Sequence, residues 1–220
     1  MENNIVVAEK VASYLLKIGA VKLNAVEPFT WASGLKSPIY CDNRKVLSFP
    51  EVRNYIGSAL SDRVRELYPE TEVVAGVATG AIAHGVLVAR ELDLPFIYVR
   101  SSGKQHGLGN QIEGVVPEGK KVVVIEDLVS TGKSSLAAMD ALLDAGAEVM
   151  GMVAIFTYGL DQAKRNMELA KCKLDTLTNY HILLKQAINE GFLHHSNKTT
   201  LEMWRENPQE WRREKGLGLG

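Results

Sequence analysis

The feature that most restricts the fold is a series of apolar, Val/Ile-rich runs that alternate with helix-like segments between residues 71 and 170. The runs are TEVVAGVA, LPFIYVR, KKVVVIED and AEVMGMVAIFTY, and amphipathic segments follow the first, third and fourth of them. Strands that are apolar throughout are buried on both faces, which is typical of a parallel sheet covered by helices. The sequence therefore predicts an α/β fold with a central, mostly parallel sheet flanked by helices.

A different pattern precedes this alternation. VVAEKVASYLLKIGAV has the spacing of an amphipathic helix and is expected to end at Gly19. PFTWASGLKSPIYCDNR is rich in turn formers and aromatic residues, which predicts short strands around a turn at Ser33 and Gly34. SFPEVRNYIGSALSDRVREL predicts a second helix with Ser48 as its N-cap. We expect a single domain of residues 1–220 with a small N-terminal appendage.

Two stretches depart from the alternation. SSGKQHGLGNQIEGVVPEGK, residues 101–120, lies between two predicted strands where a helix would be expected. A long Gly-rich insertion in a compact domain is usually a mobile functional loop or a disordered segment. Near the C-terminus, HILLKQAINEG predicts a helix, and the polar, Trp-bearing tail after it is expected to be loose at its end.

Composition restricts the classes of partner. Lys and Arg number 25 and Asp and Glu number 26, so the net charge of −1 gives no reason to expect nucleic acid or an acidic membrane as a partner. Cys41 and Cys172 lie far apart and form no CxxC motif, which favours a cytoplasmic protein with free thiols. No apolar run reaches ~18 residues, and the N-terminus has no signal-peptide pattern, so neither a membrane span nor secretion is expected.

The segment VVVIEDLVSTGKSS, residues 122–135, carries the main functional signal. Its Gly-Lys-Ser ending is similar to an ATP-binding loop, but that loop needs Gly five residues before the Gly-Lys pair, where this chain has Asp127. The pattern instead predicts a strand that ends at Glu126 and Asp127, a tight turn over residues 128–132 and a helix from Lys133. A helix start binds phosphate through free N–H groups, and two nearby carboxylates suit the hydroxyls of a ribose.

This segment resembles the phosphoribosyl-pyrophosphate signature of the type I phosphoribosyltransferases. An ordinary acidic strand end with a Ser/Thr helix cap is the alternative. The resemblance implies that the two acids contact ribose hydroxyls and that the turn holds the 5-phosphate. The residues that it implies for phosphoribosyl-pyrophosphate binding are Thr79, Gly80, Arg100, Lys104, His106, Glu126, Asp127, Leu128, Val129, Ser130, Thr131, Gly132, Lys133 and Ser134.

Three further segments resemble the orotate phosphoribosyltransferases of that family. They are FTWASGLKSPIYCDN, VATGAIAHG and YVRSSGKQHGLGN, which resemble the substrate segment, the pyrophosphate loop and the mobile catalytic loop. The resemblance implies transfer of phosphoribose from phosphoribosyl pyrophosphate to orotate, with a substrate-binding hood from residues 1–48 and a mobile catalytic loop from residues 101–116. The implied catalytic residues are Lys104, His106 and Asp127, and the implied orotate-binding residues are Tyr40, Cys41, Arg44 and Ser130.

The resemblance also implies a cofactor and an assembly. Mg²⁺ is the counter-ion of the diphosphate and is expected to be held mainly through substrate oxygens and water, without a protein metal cluster. The family works as a homodimer in which the mobile loop reaches the partner's active site. His84, in the predicted helix after the pyrophosphate loop, is expected to be structural, and other candidates are expected to lie on the surface: Asp140, Asp144, His194 and His195.

At four positions this chain has a neutral residue where some family members carry Lys or Arg. These residues are Ala32, Gly80, Ser101 and Tyr158. Lys36 and Arg44 are candidates for replacing the lost charge, with ordinary solvated cations as the alternative. Two other functions stay open. A non-catalytic regulator that senses phosphoribosyl pyrophosphate would not need the catalytic loop, and an enzyme for another base would differ in residues 29–43.

Overall fold

The computed structural model describes residues 2–31, 33–100 and 111–211. Four residues discussed above therefore lie outside the described part of the chain: Ala32, Ser101, Lys104 and His106. The helices are α1 (Glu2–Lys17), α2 (Pro50–Leu67), α3 (Ile82–Leu92), α4 (Lys133–Asp144), α5 (Asp161–Leu169), α6 (Tyr180–Asn189) and α7 (Lys198–Glu206). The strands are β1 (Val21–Leu23), β2 (Phe29–Thr30), β3 (Lys36–Ser37), β4 (Ile39–Cys41), β5 (Val73–Val77), β6 (Phe96–Val99), β7 (Ile112–Glu113), β8 (Lys121–Val129), β9 (Glu148–Thr157) and β10 (Leu174–Asn179).

A six-stranded sheet in the order β10-β9-β8-β5-β6-β7 forms the centre of the protein. All neighbouring strands in it are parallel except β6 and β7, which are antiparallel. The middle strands are buried because helices cover both of their faces, and Val124, Ile125 and Ile155 are almost completely inaccessible. The predicted α/β class and mostly parallel sheet are confirmed.

The strand order reverses between β5 and β8, which are neighbours in the sheet. From β5 the chain passes through α3 to β6 on one side, and from β8 it passes through α4 to β9 on the other. Right-handed crossovers that run in opposite directions place their helices on opposite faces of the sheet. A crevice therefore opens at the carboxyl ends of β5 and β8, which is where ligands bind in sheets of this kind.

Two short antiparallel ribbons, β1 with β4 and β2 with β3, form a hood of residues 21–48 beside the sheet. The predicted strands around Ser33 and Gly34 are present, and Gly34 adopts a left-handed φ of 83° at the turn. The two ribbons account for residues 21–48 of the predicted hood of residues 1–48. Helix α1 packs on α6 and β10 and so belongs to the helical layer of the sheet.

The sequence predicted Ser48 as the N-cap of α2, and this prediction is wrong. Ser48 ends a 3-10 segment, Asn43–Ser48, and the N-cap position of α2 is Phe49, with Pro50 as the first helical residue. The 3-10 turn places Ser48 one residue too early for its hydroxyl to cap the helix. The prediction of α2 itself is confirmed.

Three strands and one helix were not predicted. Strand β1 follows the first helix in a stretch for which no strand was predicted. Strand β7 lies within the stretch of residues 101–116 that was predicted to be a loop, so the end of that stretch belongs to the sheet. Strand β10 (LDTLTN) is too polar to be recognised by an apolar run, because it is an edge strand. Helix α7 lies in the polar tail, whose final residues 212–220 are outside the described part of the chain.

The tail contributes two completely buried side chains to the core, Leu201 and Trp204. Trp204 of α7 is completely buried, and its ring lies against Trp31 of the hood, Tyr158 after β9 and Tyr180 of α6. Its Nε1 donates a hydrogen bond to the carbonyl of Lys36 in β3, at 3.2 Å. We call these four residues the aromatic cluster, and it connects the hood, the sheet and the C-terminal helix. Within the described residues, no helix is both long and apolar enough to cross a membrane.

Candidate functional site

The segment from residue 126 to residue 135, which we call the phosphate side, lies at the crevice. Strand β8 continues past the two acids to Val129, so the turn before α4 covers only residues 130–132 and is shorter than predicted. The reason is that Leu128 and Val129 pair with Phe156 and Thr157 of β9. The predicted helix start at Lys133 is confirmed.

Contacts from β9 and α5 hold the turn. The Oγ1 of Thr157 donates to the carbonyl of Val129 at 3.1 Å, and the Nδ2 of Asn166 donates to the carbonyl of Thr131 at 2.9 Å. Gly132 has a φ of 79°, and a Cβ atom there would lie 2.8 Å from the methyl carbon of Met167. This glycine is therefore required both by its backbone conformation and by packing. The sequence motif did not reveal the supporting side chains, because they lie 28 and 35 residues further along the chain.

The turn delivers the chain to the start of α4, where the first backbone N–H groups have no acceptor within the helix. The side chains of Lys133 and Ser134 are exposed there, and those of Ser130 and Thr131 are half-buried. N–H groups, hydroxyls and an ammonium group thus surround one helix end. Such an arrangement is suited to a phosphate group.

The two acids before the turn differ in their surroundings. Glu126 is 4% exposed, and its Oε1 accepts a hydrogen bond from the N–H of Asp127 at 2.9 Å. Its Oε2 accepts one from the hydroxyl of Ser135 at 2.7 Å. Burial, and then the neighbouring Asp127 carboxylate, raise the pKa of Glu126 to about 8. Glu126 therefore braces the strand end, whereas the half-buried Asp127 faces the crevice with fewer constraints.

Gly80 brings the end of β5 to this carboxylate. A Cβ atom on Gly80 would lie only 2.2 Å from Oδ2 of Asp127, so no side chain fits there while Asp127 keeps its position. Thr79, the residue before it, is exposed and follows a cis peptide bond from Ala78. The loop after β5 and the acids of β8, which the sequence predicted separately, thus meet at one point. The absence of a lysine at Gly80 has a steric explanation.

The hood faces the same crevice from the other side; we call residues 29–43 together with Tyr158 and α7 the hood side. The rings of Phe29 and Tyr40 lie 5.9 Å apart, and Tyr40 is partly exposed. Tyr158 is buried in the aromatic cluster, and burial raises the pKa of its hydroxyl. Burial also raises the pKa of the neighbouring Cys41 thiol. Position 158 therefore lies in the packed interior, which suits the neutral Tyr158 better than a cation.

Asn43 connects the two sides, although the sequence had not singled it out. Its Nδ2 donates to the backbone carbonyl of Asp127 at 2.6 Å, and its Oδ1 accepts from the Cys41 thiol at 3.2 Å. The signal available in the sequence was its position at the end of the FTWASGLKSPIYCDN segment. The motif had been interpreted only through its neighbours Tyr40, Cys41 and Arg44.

The predicted cations are partly committed to neighbours. The Nε of Arg44 lies 2.7 Å from Oδ1 of Asp42, and the arginine side chain is 63% exposed. The ammonium group of Lys36 donates to the hydroxyl of Thr30 at 2.7 Å. The Nη1 of Arg100 lies 3.2 Å from Oε1 of Glu113 on β7, at the border of residues 101–110. None of these pairs is deeply buried, so each can exchange partners at modest cost.

The residues expected to be structural or solvated behave as predicted. His84 is completely buried on α3, and burial lowers the pKa of its imidazole, while the Asp127 carboxylate and the backbone of Asn43 act in the opposite direction. The exposed residues are Asp140, Asp144, His194 and His195. In the part of the chain that the structure describes, no three His, Cys, Asp or Glu side chains are grouped to hold a metal ion.

Comparisons with known proteins agree with this geometry. The model of the phosphoribosyl transferase domain family matches residues 44–186. The chain is 54% identical over 205 residues to an orotate phosphoribosyltransferase of Listeria innocua, which covers 93% of this chain and 98% of that protein. It is 51% identical over 209 residues to an orotate phosphoribosyltransferase of Bacillus subtilis, which covers 95% and 97%.

Solved structures show the same fold. The crystal structure of orotate phosphoribosyltransferase from Aeropyrum pernix superimposes with a TM-score of 0.72 and 28% identity, and it covers 80% of this chain and 97% of that one. The domain match includes the phosphate side, and the two full-length relatives also cover most of the hood. The chain therefore belongs to the orotate phosphoribosyltransferases, within the phosphoribosyl transferase domain family.

Proposed function

We propose that the protein transfers the phosphoribosyl group of phosphoribosyl pyrophosphate to orotate, giving orotidine 5′-monophosphate and pyrophosphate, as in the synthesis of pyrimidine nucleotides. The observation that carries the proposal is the meeting of a phosphate-binding helix start, an open carboxylate and an aromatic hood at one crevice. Each part suits one portion of the reactants: the 5-phosphate, the ribose hydroxyls and the planar base. The bond from the anomeric carbon to the diphosphate breaks as the bond to orotate nitrogen forms.

Phosphoribosyl pyrophosphate is proposed to bind across β5 and β8. The 5-phosphate lies at residues 130–134, the ribose hydroxyls at Asp127, and the diphosphate near Thr79 and Gly80. Glu126 acts from within, by holding Asp127 through the hydrogen bond to its N–H. The transition state of such a transfer resembles an oxocarbenium ion, and the departing diphosphate gains negative charge. Preorganised donors around the diphosphate then lower the barrier more than a strong base would.

Arg100, Lys104 and His106 are proposed to supply the donors for that charge. Arg100 is suited to forked contacts with phosphate oxygens, and Lys104 acts as a point charge. His106 can donate a proton or a hydrogen bond near neutral pH. Lys104 and His106 lie outside the described residues, so their roles rest on the family motif alone.

Mg²⁺ is the proposed cofactor, and among the described residues the crevice offers it one available carboxylate. Both carboxylate oxygens of Glu126 already accept hydrogen bonds, which leaves Asp127 as the acid at the crevice that can act through ribose hydroxyls or water. A small hard cation that keeps several waters suits this sparse donor set. When bound, it offsets the negative charge of the diphosphate.

Orotate is proposed to bind against the hood. Its ring suits the partly exposed face of Tyr40, and its amide edge suits backbone groups at Tyr40 and Cys41. Ser130 is proposed to contact it from the phosphate side. Arg44 is proposed to attract the orotate carboxylate after exchanging its pair with Asp42.

The assembly and location are proposed from the family as well. We infer a homodimer in which residues 101–110 of one subunit complete the active site of the other. We also propose a cytoplasmic protein that acts on small molecules, with neither nucleic acid nor a membrane as partner. The net charge of −1 and the two free cysteines support this assignment.

The direct test is the loss of orotate absorbance when phosphoribosyl pyrophosphate and Mg²⁺ are added to the full-length protein. We expect turnover with orotate and none with adenine, hypoxanthine or uracil under the same conditions. Turnover of another base would change the substrate. Binding of phosphoribosyl pyrophosphate without any turnover would favour a non-catalytic regulator.

A mixing experiment tests the shared site. Lys104→Ala is expected to lower turnover about 10²–10³-fold, because it removes a donor to charge that develops in the transition state. Asp127→Asn is expected to weaken binding of phosphoribosyl pyrophosphate by about 1.5–3 kcal/mol, because charge-assisted bonds to the ribose are lost. In a mixed dimer of the two variants, one site receives both defects and the other neither, so activity partly returns. No recovery despite demonstrated subunit exchange would mean that each site belongs to a single chain.

A further inference from the structure

Asn43 lies where the hood meets the end of β8, and it is 1% exposed. Its side chain makes one hydrogen bond to each side of the crevice, to the carbonyl of Asp127 and from the thiol of Cys41. We propose that Asn43 is a positioning residue that couples the occupancy of the hood to the position of Asp127, so that each substrate affects the affinity for the other. This inference rests on the proposed function, because it assigns orotate to the hood and ribose to Asp127.

The bond to Asp127 occupies a gap in the sheet. Strand β5 pairs with β8 only as far as Ile125, because the chain turns away after Val77 toward Thr79 and Gly80. Beyond that point the side of β8 that faced β5 has no strand neighbour, and the amide of Asn43 supplies the donor. The backbone that carries the Asp127 carboxylate is therefore held by a hood residue at this position.

Asn43 also lies close to the proposed orotate-binding surface. Cys41 ends β4, two residues before Asn43, and adjoins Tyr40, whose partly exposed ring is the proposed contact of orotate. A shift of this strand end on orotate binding directly moves Cys41, whose thiol donates to the side chain of Asn43. Such a shift then acts on Asp127 without any change in the remainder of the sheet.

Charged and titratable groups near the amide are few. They are the thiol of Cys41, the carboxylate of Asp127, the imidazole of His84, which lies on α3 beside the backbone of Asn43, and the carboxyl group of Glu126, which accepts from the N–H of Asp127 and has a pKa raised to about 8. Burial raises the pKa of Cys41 and lowers that of His84, so both are neutral near pH 7. Glu126 changes charge within the same pH range, so the pH response of an acid introduced at Asn43 is measured relative to wild type, which carries the same Glu126.

Asn43→Asp is the decisive variant because it keeps the size of the side chain and the acceptor for Cys41 but loses the N–H donor. At about pH 8.5 we expect kcat/KM for phosphoribosyl pyrophosphate to fall about 10- to 100-fold, since an acceptor then faces the Asp127 carbonyl. Lowering the pH to about 6 should restore part of the activity relative to wild type, because the protonated acid can again donate. A fall that is the same at every pH overturns the proposal.

Binding measurements test the coupling itself. Ribose 5-phosphate carries the hydroxyls and phosphate but cannot react, so its affinity can be measured by calorimetry with and without orotate. We expect orotate to change this affinity by about 5- to 150-fold in wild type, the usual range for coupled sites, and by the same factor in the reverse experiment. Asn43→Ala should reduce the factor to about one. An equal factor in wild type and a folded Asn43→Ala variant, or no coupling in wild type, contradicts the role.

Asn179→Ala provides a matched control. The Asn179 side chain accepts a hydrogen bond from the N–H of Ile182 and caps α6. Its loss removes a helix cap but neither hydrogen bond of Asn43, so coupling and pH profile should equal those of wild type. If Asn43→Ala does not fold, Asn43→Asp at the lower pH still decides the question. Wild-type turnover of orotate, measured first, decides the proposed function independently of any Asn43 variant.

Discussion

The two sides of the crevice are built in different ways. The phosphate side is a single continuous segment, residues 126–135, in which strand, turn and helix start follow one another. The hood side combines three separate segments: the hood strands, Tyr158 after β9, and α7 near the C-terminus. The first depends on backbone geometry and local hydrogen bonds, whereas the second depends on aromatic packing between distant parts of the chain.

This difference indicates how each side can be damaged. Indole N–H groups brace the hood: Nε1 of Trp31 donates to the carbonyl of Ile39 within the hood at 3.1 Å, and Nε1 of Trp204 in α7 donates to that of Lys36 at 3.2 Å. Loss of one of these rings should therefore affect orotate more than phosphoribosyl pyrophosphate. Changes near Asp127 should have the opposite selectivity.

Trp204→Ala is expected to have the largest effect. Removal of a completely buried Trp should lower the free energy of unfolding by about 3–5 kcal/mol, since a large cavity opens between the hood and α7. The KM for orotate should rise more than the KM for phosphoribosyl pyrophosphate. Chemical denaturation and steady-state kinetics measure the two effects. Trp204→Phe keeps a ring and loses the N–H donor, so it should cost less; equal increases in both KM values would show that the hood is not selectively affected.

Gly80→Ala is expected to have the next largest effect, on the phosphate side. The added methyl group collides with the carboxylate of Asp127 and displaces it, so kcat/KM for phosphoribosyl pyrophosphate should fall about 10- to 100-fold. The KM for orotate should change little. In an Asp127→Ala background the same substitution should add little, because the colliding atoms are gone. A full additional loss in that background would argue against displacement of Asp127 as the cause.

Glu126→Gln is expected to have the smallest effect, which appears in the pH dependence of stability. The folded state raises the pKa of Glu126 from 4.5 to about 8, so it binds more protons than the unfolded chain between these values. Wild type should therefore lose stability relative to Glu126→Gln as the pH rises through this window. Thermal or urea unfolding at several pH values measures the difference. A difference that stays constant with pH would show that Glu126 is already ionised throughout.

Much of the phosphate side could be predicted from the sequence, because its signals are local. The apolar runs predicted β5, β8 and β9, and the turn residues predicted that α4 begins at Lys133. The predicted end of β8 was two residues too early, because pairing with β9 extends the strand over Leu128 and Val129, which had been assigned to the turn. The different surroundings of Glu126 and Asp127 also could not be predicted, because the hydroxyl of Ser135 reaches Glu126 only after α4 has formed.

The hood side was less predictable because its contacts are distant in the sequence. The hydrogen bond from Trp204 to Lys36 spans 168 residues, and no local pattern in a polar tail indicates that this Trp is buried. The amide of Asn43 reaches Asp127 across 84 residues. Hydrophobic periodicity predicts which face of an element is buried but not which distant element covers it.

The pairing of β6 with β7 has a consequence for how the family can vary. The N–H of Arg100 donates to the carbonyl of Gln111 at 2.9 Å, so the chain leaves and rejoins the sheet at nearly the same place. An insertion or deletion between these two residues leaves the spacing of the strands unchanged, and each doubling of a flexible loop costs only about 0.6 kcal/mol. A laboratory graft that replaces the segment between Arg100 and Gln111 with that of a relative should therefore keep the pairing of β6 with β7.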